Sequence, residues 1–134
     1  MPAAYRADLR AGVFVTRGME ECIWVLPIAT WNAVSTTLRQ TRVFSSRSRL
    51  RDRLLFPGSV MKLDKQGRIW LPPSLRAFAG LEENGPVMVV GVNNRVELWN
   101  CERWLDQQRS AMAELKEAMD DLEYSPTGPP EEDV

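Results

Sequence analysis

An internal repeat constrains this chain more than any other feature of its sequence. With an offset of 73 residues, the run Cys22–Leu26 falls on Arg95–Trp99, and Trp31 falls on Trp104. Both runs have the character of a strand and stand the same distance before a tryptophan. Duplication of this kind means that one unit packs against the other, because a single unit cannot bury its apolar face alone. The repeat therefore predicts two halves in a pseudo-twofold arrangement.

The repeat extends upstream of each strand. With an offset of 70 residues, Pro2–Arg6 falls on Pro72–Arg76, so each half contains the pattern Pro-x-x-apolar-Arg. The chain has 134 residues, of which 44% are apolar, and this is enough to bury a core without disulfide bonds. We expect an α+β fold made of two tandem β units with flanking helices and a long C-terminal helix.

Hydrophobic patterns predict the elements of each half. Strand-like runs cover Val13–Thr16 and Cys22–Leu26 in the first half, and Pro86–Val92 and Arg95–Trp99 in the second. Apolar residues at helical spacing predict helices over about Ile28–Arg39, Ser46–Phe56 and Cys101–Tyr124. The residues after Tyr124 are rich in proline and acids and predict a disordered tail.

The charge of the chain is unevenly distributed. The net charge is −1, but residues 114–134 carry −7 and residues 1–113 carry +6. A basic body with an acidic tail is typical of proteins that bind a polyanion, although a solvated surface explains the same numbers. Residues 39–53 hold six arginines and one acid, and these could contact phosphates or the acidic tail of a neighbouring subunit.

Several classes of protein are disfavoured by what the sequence lacks. It has no histidine, no CxxC pair and no glycine-rich loop of the GxxxxGK[ST] kind. We therefore expect no enzyme activity, no cofactor, no metal and no small-molecule substrate. The sequence contains no apolar run of membrane-spanning length and does not begin like a signal peptide, so we expect a cytoplasmic protein without membrane contact. The cysteines Cys22 and Cys101 are expected to be reduced.

The densest local signal is a charged turn in the second half. Strands are predicted over Val60–Asp64 and Arg68–Leu71, with Gly67 at positive φ between them, and a short helix is predicted from Pro73 to Ala79 with Gly80 as its C-cap. The charged residues that this arrangement gathers are Lys62, Asp64, Lys65, Arg68 and Arg76.

This cluster can bind nucleic acid. Lysine and arginine bind phosphates, and arginine can also reach guanine edges in the major groove. The carboxylate of Asp64 is repelled by a phosphate backbone, so it is better suited to orient Arg68 than to touch DNA. The alternative is an exposed hairpin whose charges are only solvated. The five tryptophans could stack on bases, but four of them are predicted to pack in the core, and Trp70 is the exception.

The motif residues also carry a family resemblance. The segment Leu63-Asp64-x-Gln66-Gly67-Arg68-Ile69-x-Leu71-Pro72-x-x-Leu75-Arg76-x-x-Ala79-Gly80-Leu81 resembles the swapped-hairpin element of the AbrB/SpoVT group. Residues 1 to about 120 are similar to the MraZ family, on the evidence of Pro27, Trp31, the arginine-rich middle segment and Glu97-Leu98-Trp99-Asn100-x-Glu102-Arg103-Trp104.

The resemblance implies a fold and a function. It implies two AbrB-like halves that assemble into rings and bind repeated double-stranded DNA motifs in the promoter of the bacterial division and cell wall gene cluster, at the nucleoid. The first half would span residues 1–38 and the connector 39–58. The second half would span 59–124, followed by the tail 125–134. In this family pattern the first half also has an Asp-x-x-Gly-Arg segment before Pro2, so we expect the true start to lie upstream of Met1.

An alternative function follows from the acidic tail. An AbrB-type antitoxin, or another protein-interaction module, would use its acidic C-terminal segment to bind a basic partner. The double repeat argues against this reading, because such antitoxins usually carry one copy.

Overall fold

In the computed structural model, the description of the chain covers residues 1–40, 53 and 57–123. The helices in this part are α1 (Ala3–Leu9), α2 (Ile28–Gln40), α3 (Pro73–Ala79) and α4 (Cys101–Glu123). The strands are β1 (Val13–Arg17), β2 (Ile23–Pro27), β3 (Ser59–Met61), β4 (Met88–Val92) and β5 (Arg95–Trp99).

The strands form one antiparallel sheet in the order β3-β1-β2-β5-β4. Its centre joins the two predicted hairpins, because β2 pairs with β5 in the register Ile23↔Leu98, Trp24↔Glu97 and Val25↔Val96. Moving each partner by the repeat offset of 73 turns the first of these pairs into the third. This is the register that a twofold axis between Trp24 and Glu97 requires, so it supports the predicted pseudo-twofold arrangement.

The two outer edges of the sheet differ. On one side β3 pairs with β1, with Met61 opposite Val13. On the other side, no strand of the described residues pairs with the outer edge of β4. There the main-chain N–H of Gly91 donates instead to the hydroxyl of Tyr5 at 3.2 Å, so α1 covers part of this edge.

The core lies on one face of the sheet. Val13, Val15, Ile23 and Val25 are fully buried, and Leu9 of α1 packs with them. Burial of each such side chain contributes about 1.5–3 kcal/mol to folding. Leu75 and Ala79 of α3 join the same cluster, so the short helices of both halves pack on one core.

Most of the element predictions are confirmed. Both hairpins, α2, α3 and the C-terminal helix lie where the sequence patterns indicate, and Gly80 has the left-handed conformation (φ +67) expected of a C-cap. The strand predicted over Arg68–Leu71 is wrong, and β3 ends at Met61 instead of Asp64. In this stretch the only main-chain ladder contact is the Asp64 N–H to the Arg68 carbonyl, at 2.9 Å, because β3 pairs with β1 instead.

The C-terminal unit, Glu102–Val134, is distinct from the unit Met1–Cys101. Within it, α4 carries an exposed apolar stripe at spacings of seven, three, four and three residues: Leu105, Met112, Leu115, Met119 and Leu122. The tail 125–134 lies outside the described residues, as does most of the connector 39–58, including nearly all of the helix predicted over Ser46–Phe56.

Candidate nucleic-acid interface

The charged turn is organised around the carboxylate of Asp64. Its Oδ1 accepts hydrogen bonds from the main-chain N–H groups of Gln66 (2.9 Å) and Arg68 (2.8 Å). The main chain closes the same turn, because the Gly67 N–H donates to the Asp64 carbonyl at 2.9 Å and Gly67 has φ +76. A short acidic side chain that bonds to N–H groups further along the chain is the usual device for fixing such a turn.

Asp64 also orients the side chain of Arg68. The second carboxylate oxygen, Oδ2, accepts a hydrogen bond from the Arg68 Nε at 2.7 Å. The Arg68 side chain is 73% exposed, and among the described residues its terminal nitrogens have no partner. The guanidinium is therefore held at its inner nitrogen and presents its outer donors to solvent, which suits a bidentate contact with phosphate or guanine.

These contacts perturb the titration of Asp64. The hydrogen bond from the Arg68 main-chain N–H, followed by the bond from the Arg68 side chain, lowers the pKa of the Asp64 carboxyl below its ordinary value of 3.8. Hydrogen bonds to the charged form favour that form. The brace on Arg68 is therefore ionised at neutral pH.

The structure brings three of the five predicted site residues together in the turn. Asp64, Lys65 and Arg68 are all exposed there, and Lys62 is exposed on the strand side of it. Lys62 and Lys65 form no hydrogen bond or ion pair within the described part of the chain. Their ammonium groups are therefore available to a polyanion.

Arg76 has a different environment from the other four. It lies in α3, is half-buried, and its Nε is buried without a hydrogen-bond partner among the described residues. It lines an open depression of about 330 Å³ together with Trp70, Glu82 and Glu83. Two carboxylates close to it reduce the local positive potential, so Arg76 is the least favourable of the predicted phosphate contacts.

A residue that the sequence reasoning missed lies against the turn. Arg6 of α1 covers Gly67, and its Nε donates to the carbonyl of Met1 at 2.8 Å. The amino group of Met1 in turn donates to the Gly67 carbonyl at 2.8 Å. The signal that could have found Arg6 was its equivalence to Arg76 in the repeat.

The tryptophans divide as the sequence predicts. Trp99 is 2% exposed, and the ring of Trp31 stacks on Phe14 with centroids 3.7 Å apart, whereas Trp70 is 69% exposed. An exposed indole five residues from the turn leaves base stacking open to Trp70.

One group of side chains has the composition of a metal site. The ligand atoms of Glu20, Cys22 and Glu97 lie within 4.8 Å of one another. Burial, followed by the negative charges of Glu97 and Glu20, raises the pKa of the Cys22 thiol to about 12, and a metal needs the thiolate. The Glu97 carboxylate already accepts hydrogen bonds from Arg95 (2.8 Å) and Trp99 (2.9 Å). This chemistry favours a structural network over a metal site.

A search for membrane-spanning segments gave a simple result. Among the described residues, no helix is both long enough and apolar enough to cross a bilayer.

Comparison with known proteins identifies the family. The fold is a mixed α+β architecture in which one antiparallel sheet combines two repeated hairpins. Residues 55–122 match the family described as "MraZ protein, putative antitoxin-like". The chain belongs to the MraZ family, as its relatives also establish.

Three similar relatives are each named "Transcriptional regulator MraZ". The protein of Symbiobacterium thermophilum is 41% identical over 112 residues, which cover 83% of this chain and 80% of the relative. The protein of Thermobifida fusca is 38% identical over 87% of this chain and 83% of its own. The protein of Natranaerobius thermophilus is 36% identical over 91% of this chain and 85% of its own.

Proposed function

We propose that this chain is a sequence-specific DNA-binding transcriptional regulator that contacts double-stranded DNA through the turn Asp64–Arg68. The observation that carries the proposal is the arginine clamp. Asp64 accepts three hydrogen bonds that fix both the turn and the Arg68 side chain, and the outer guanidinium nitrogens are left without a partner among the described residues. Pre-orientation of a long side chain reduces the entropy lost on binding.

The surrounding charges support the same function. Lys62 and Lys65 are exposed next to Arg68, and such residues bind phosphates and position a protein on DNA. In the proposal Arg68 and Lys65 lead the contacts, and Lys62 and Arg76 bind the backbone. Asp64 is a positioning residue that acts through Arg68.

The finer features of the proposal come from the family likeness. The DNA would be the repeated motifs in the promoter of the bacterial division and cell wall gene cluster, and the protein would act in the cytoplasm at the nucleoid. We propose a ring-shaped homo-oligomer, because one turn per chain binds weakly and repetition on repeated sites supplies avidity. The exposed apolar stripe on α4 supports self-association, since its five side chains are each more than half exposed.

The test is the variant Arg68→Ala, measured by retention of a promoter fragment from upstream of the division gene cluster. We expect binding to be lost while the unfolding midpoint is unchanged, because the side chain is exposed. Arg109→Ala is the matched control, since it removes the same charge from an 80% exposed position on α4. Equal retention by the Arg68→Ala variant and the wild type would overturn the assignment.

A second candidate is an antitoxin-like protein that binds a basic partner. The observation in its favour is the charge of α4, which has seven acids and three bases beside its exposed apolar stripe. Copurification with a small basic protein encoded next to this gene, lost when residues 114–134 are deleted, would support it over DNA binding.

A further inference from the structure

We propose that Arg6, a residue of the first half, binds a DNA phosphate next to the turn of the second half. The inference rests on the DNA-binding function proposed above and extends its surface to α1. It assigns a role to a side chain that lies 58 residues from Asp64 in sequence.

The first observation is the burial of Gly67. This glycine is buried, although Asp64, Lys65, Gln66 and Arg68 around it are all exposed. The side chain of Arg6 covers it, since a β-carbon added to Gly67 would overlap the Arg6 guanidinium. The Arg6 side chain is therefore part of the same surface as the turn.

The second observation is the way in which the Arg6 side chain is held. Its Nε donates to the Met1 carbonyl at 2.8 Å, which fixes the inner end of the guanidinium. Within the described residues, the terminal nitrogens of Arg6 have no acceptor, and the residue is exposed. Arg68 is held in the same manner, at Nε by Asp64. Two arginines at one turn thus present their outer donors, which is the geometry that binds a phosphate bidentately.

The third argument concerns charge. A side chain that only covered Gly67 could be neutral, and a cation here is repelled by Arg68 and Lys65, with Asp64 as the one acid in the turn. Bringing cations together on a small surface is unfavourable for the free protein and favourable when a polyanion binds. The charge of Arg6 therefore fits a binding role better than a covering role.

The repeat distinguishes Arg6 from its equivalent. Arg76 occupies the same place in the second half, but its Nε is buried without a partner in the described residues, and it lines a depression with Glu82 and Glu83. We infer that the phosphate-binding role belongs to Arg6 more than to Arg76.

The experiment measures how the affinity for a mixed-sequence 30-base-pair duplex depends on salt. Each phosphate contact contributes about 0.9 to the slope of log K against log salt. We expect Arg6→Gln to lower the slope by about one and Arg6→Lys to keep it, because lysine retains the charge but loses the Nε bond. The matched control is Arg10→Gln, which removes an exposed arginine from the end of the same helix and should leave the slope unchanged.

The outcomes separate this inference from the function on which it rests. A wild-type slope for Arg6→Gln, or equal losses for Arg6→Gln and Arg10→Gln, would overturn the role of Arg6. A slope that falls in Arg6→Lys as well as in Arg6→Gln would reduce Arg6 to a structural cover of Gly67. A wild-type protein that binds the duplex but does not prefer a promoter fragment would overturn the proposed function and leave Arg6 in place. A wild-type protein that binds neither DNA would overturn both.

Discussion

The Oδ2 atom of Asp64 lies 2.7 Å from the Nε atom of Arg68, and the same carboxylate also accepts the Arg68 main-chain N–H. One acid thus fixes both the backbone and the side chain of the residue proposed to contact DNA. The pairing makes the titration of Asp64 a direct reporter of the geometry of the turn.

The first prediction concerns that titration. Because the folded-state pKa of Asp64 is lowered, its contribution to the turn is present above the unfolded value and is lost as pH falls through the folded value. We expect a carboxyl ¹³C titration of the wild type to have its midpoint below 3.8. In Arg68→Ala the midpoint should rise and still remain below 3.8, because the main-chain donors persist. A wild-type midpoint at or above 3.8 would contradict the hydrogen-bonded turn.

The second prediction concerns Gly67. A side chain at this position meets a left-handed backbone (φ +76) and overlaps the Arg6 guanidinium. We expect Gly67→Ala to destabilise the protein by about 1–2 kcal/mol and to weaken DNA binding, as measured by urea unfolding and fragment retention. Gln66→Ala is the control, because the bond of this residue to Asp64 uses its main chain. Equal behaviour of the two variants would mean that Arg6 does not press on the turn.

The third prediction concerns Glu97, which is 4% exposed at the centre of the sheet. Its Oε2 pairs with Arg95 at 2.8 Å and its Oε1 accepts the Trp99 indole N–H at 2.9 Å. Removal of one partner leaves the others unsatisfied, so we expect Glu97→Ala to lower the free energy of unfolding by about 3 kcal/mol. Glu82→Ala, at an exposed position, should change it little. A loss below about 1 kcal/mol would mean that water replaces the carboxylate.

The fourth prediction concerns the apolar stripe of α4. We expect the double variant Leu115→Gln and Met119→Gln to have a lower mass in light scattering than the wild type, with unchanged helix content in circular dichroism. The two side chains are 57% and 59% exposed, so their replacement costs the chain itself little. Ala113→Gln is the control on another face of the helix. An unchanged mass would remove this helix from the proposed self-association.

Sequence patterns predicted the elements whose hydrogen bonds are local. The hairpins, α3 with its Gly80 cap and α4 depend on periodicity and on turn residues within a few positions. The two offsets also anticipated the β2–β5 register, which depends on equivalence between halves.

The errors have a common physical cause. Arg68–Leu71 has the composition of a strand, but a strand also needs a partner, and β3 takes β1 instead. The contact between Arg6 and Gly67 joins residues 61 positions apart, and no local pattern encodes such an approach. Four of the proposed site residues follow from a charge cluster in one short segment, whereas the fifth, Arg76, is separated from it by its own half-buried position.

The pair Trp24 and Glu97 sits where the axis of the β2–β5 register passes. In a symmetric dimer of single units, one residue type must face its own copy at such a point, so a carboxylate would meet a carboxylate and an indole an indole. Joining both units in one polypeptide removes that restriction. The centre of this sheet can therefore combine a large aromatic ring with a buried acid and its arginine, which stacks over the Trp24 ring at 4.3 Å. Covalent linkage gives the protein a chemical asymmetry that no assembly of identical single units could have at its own axis.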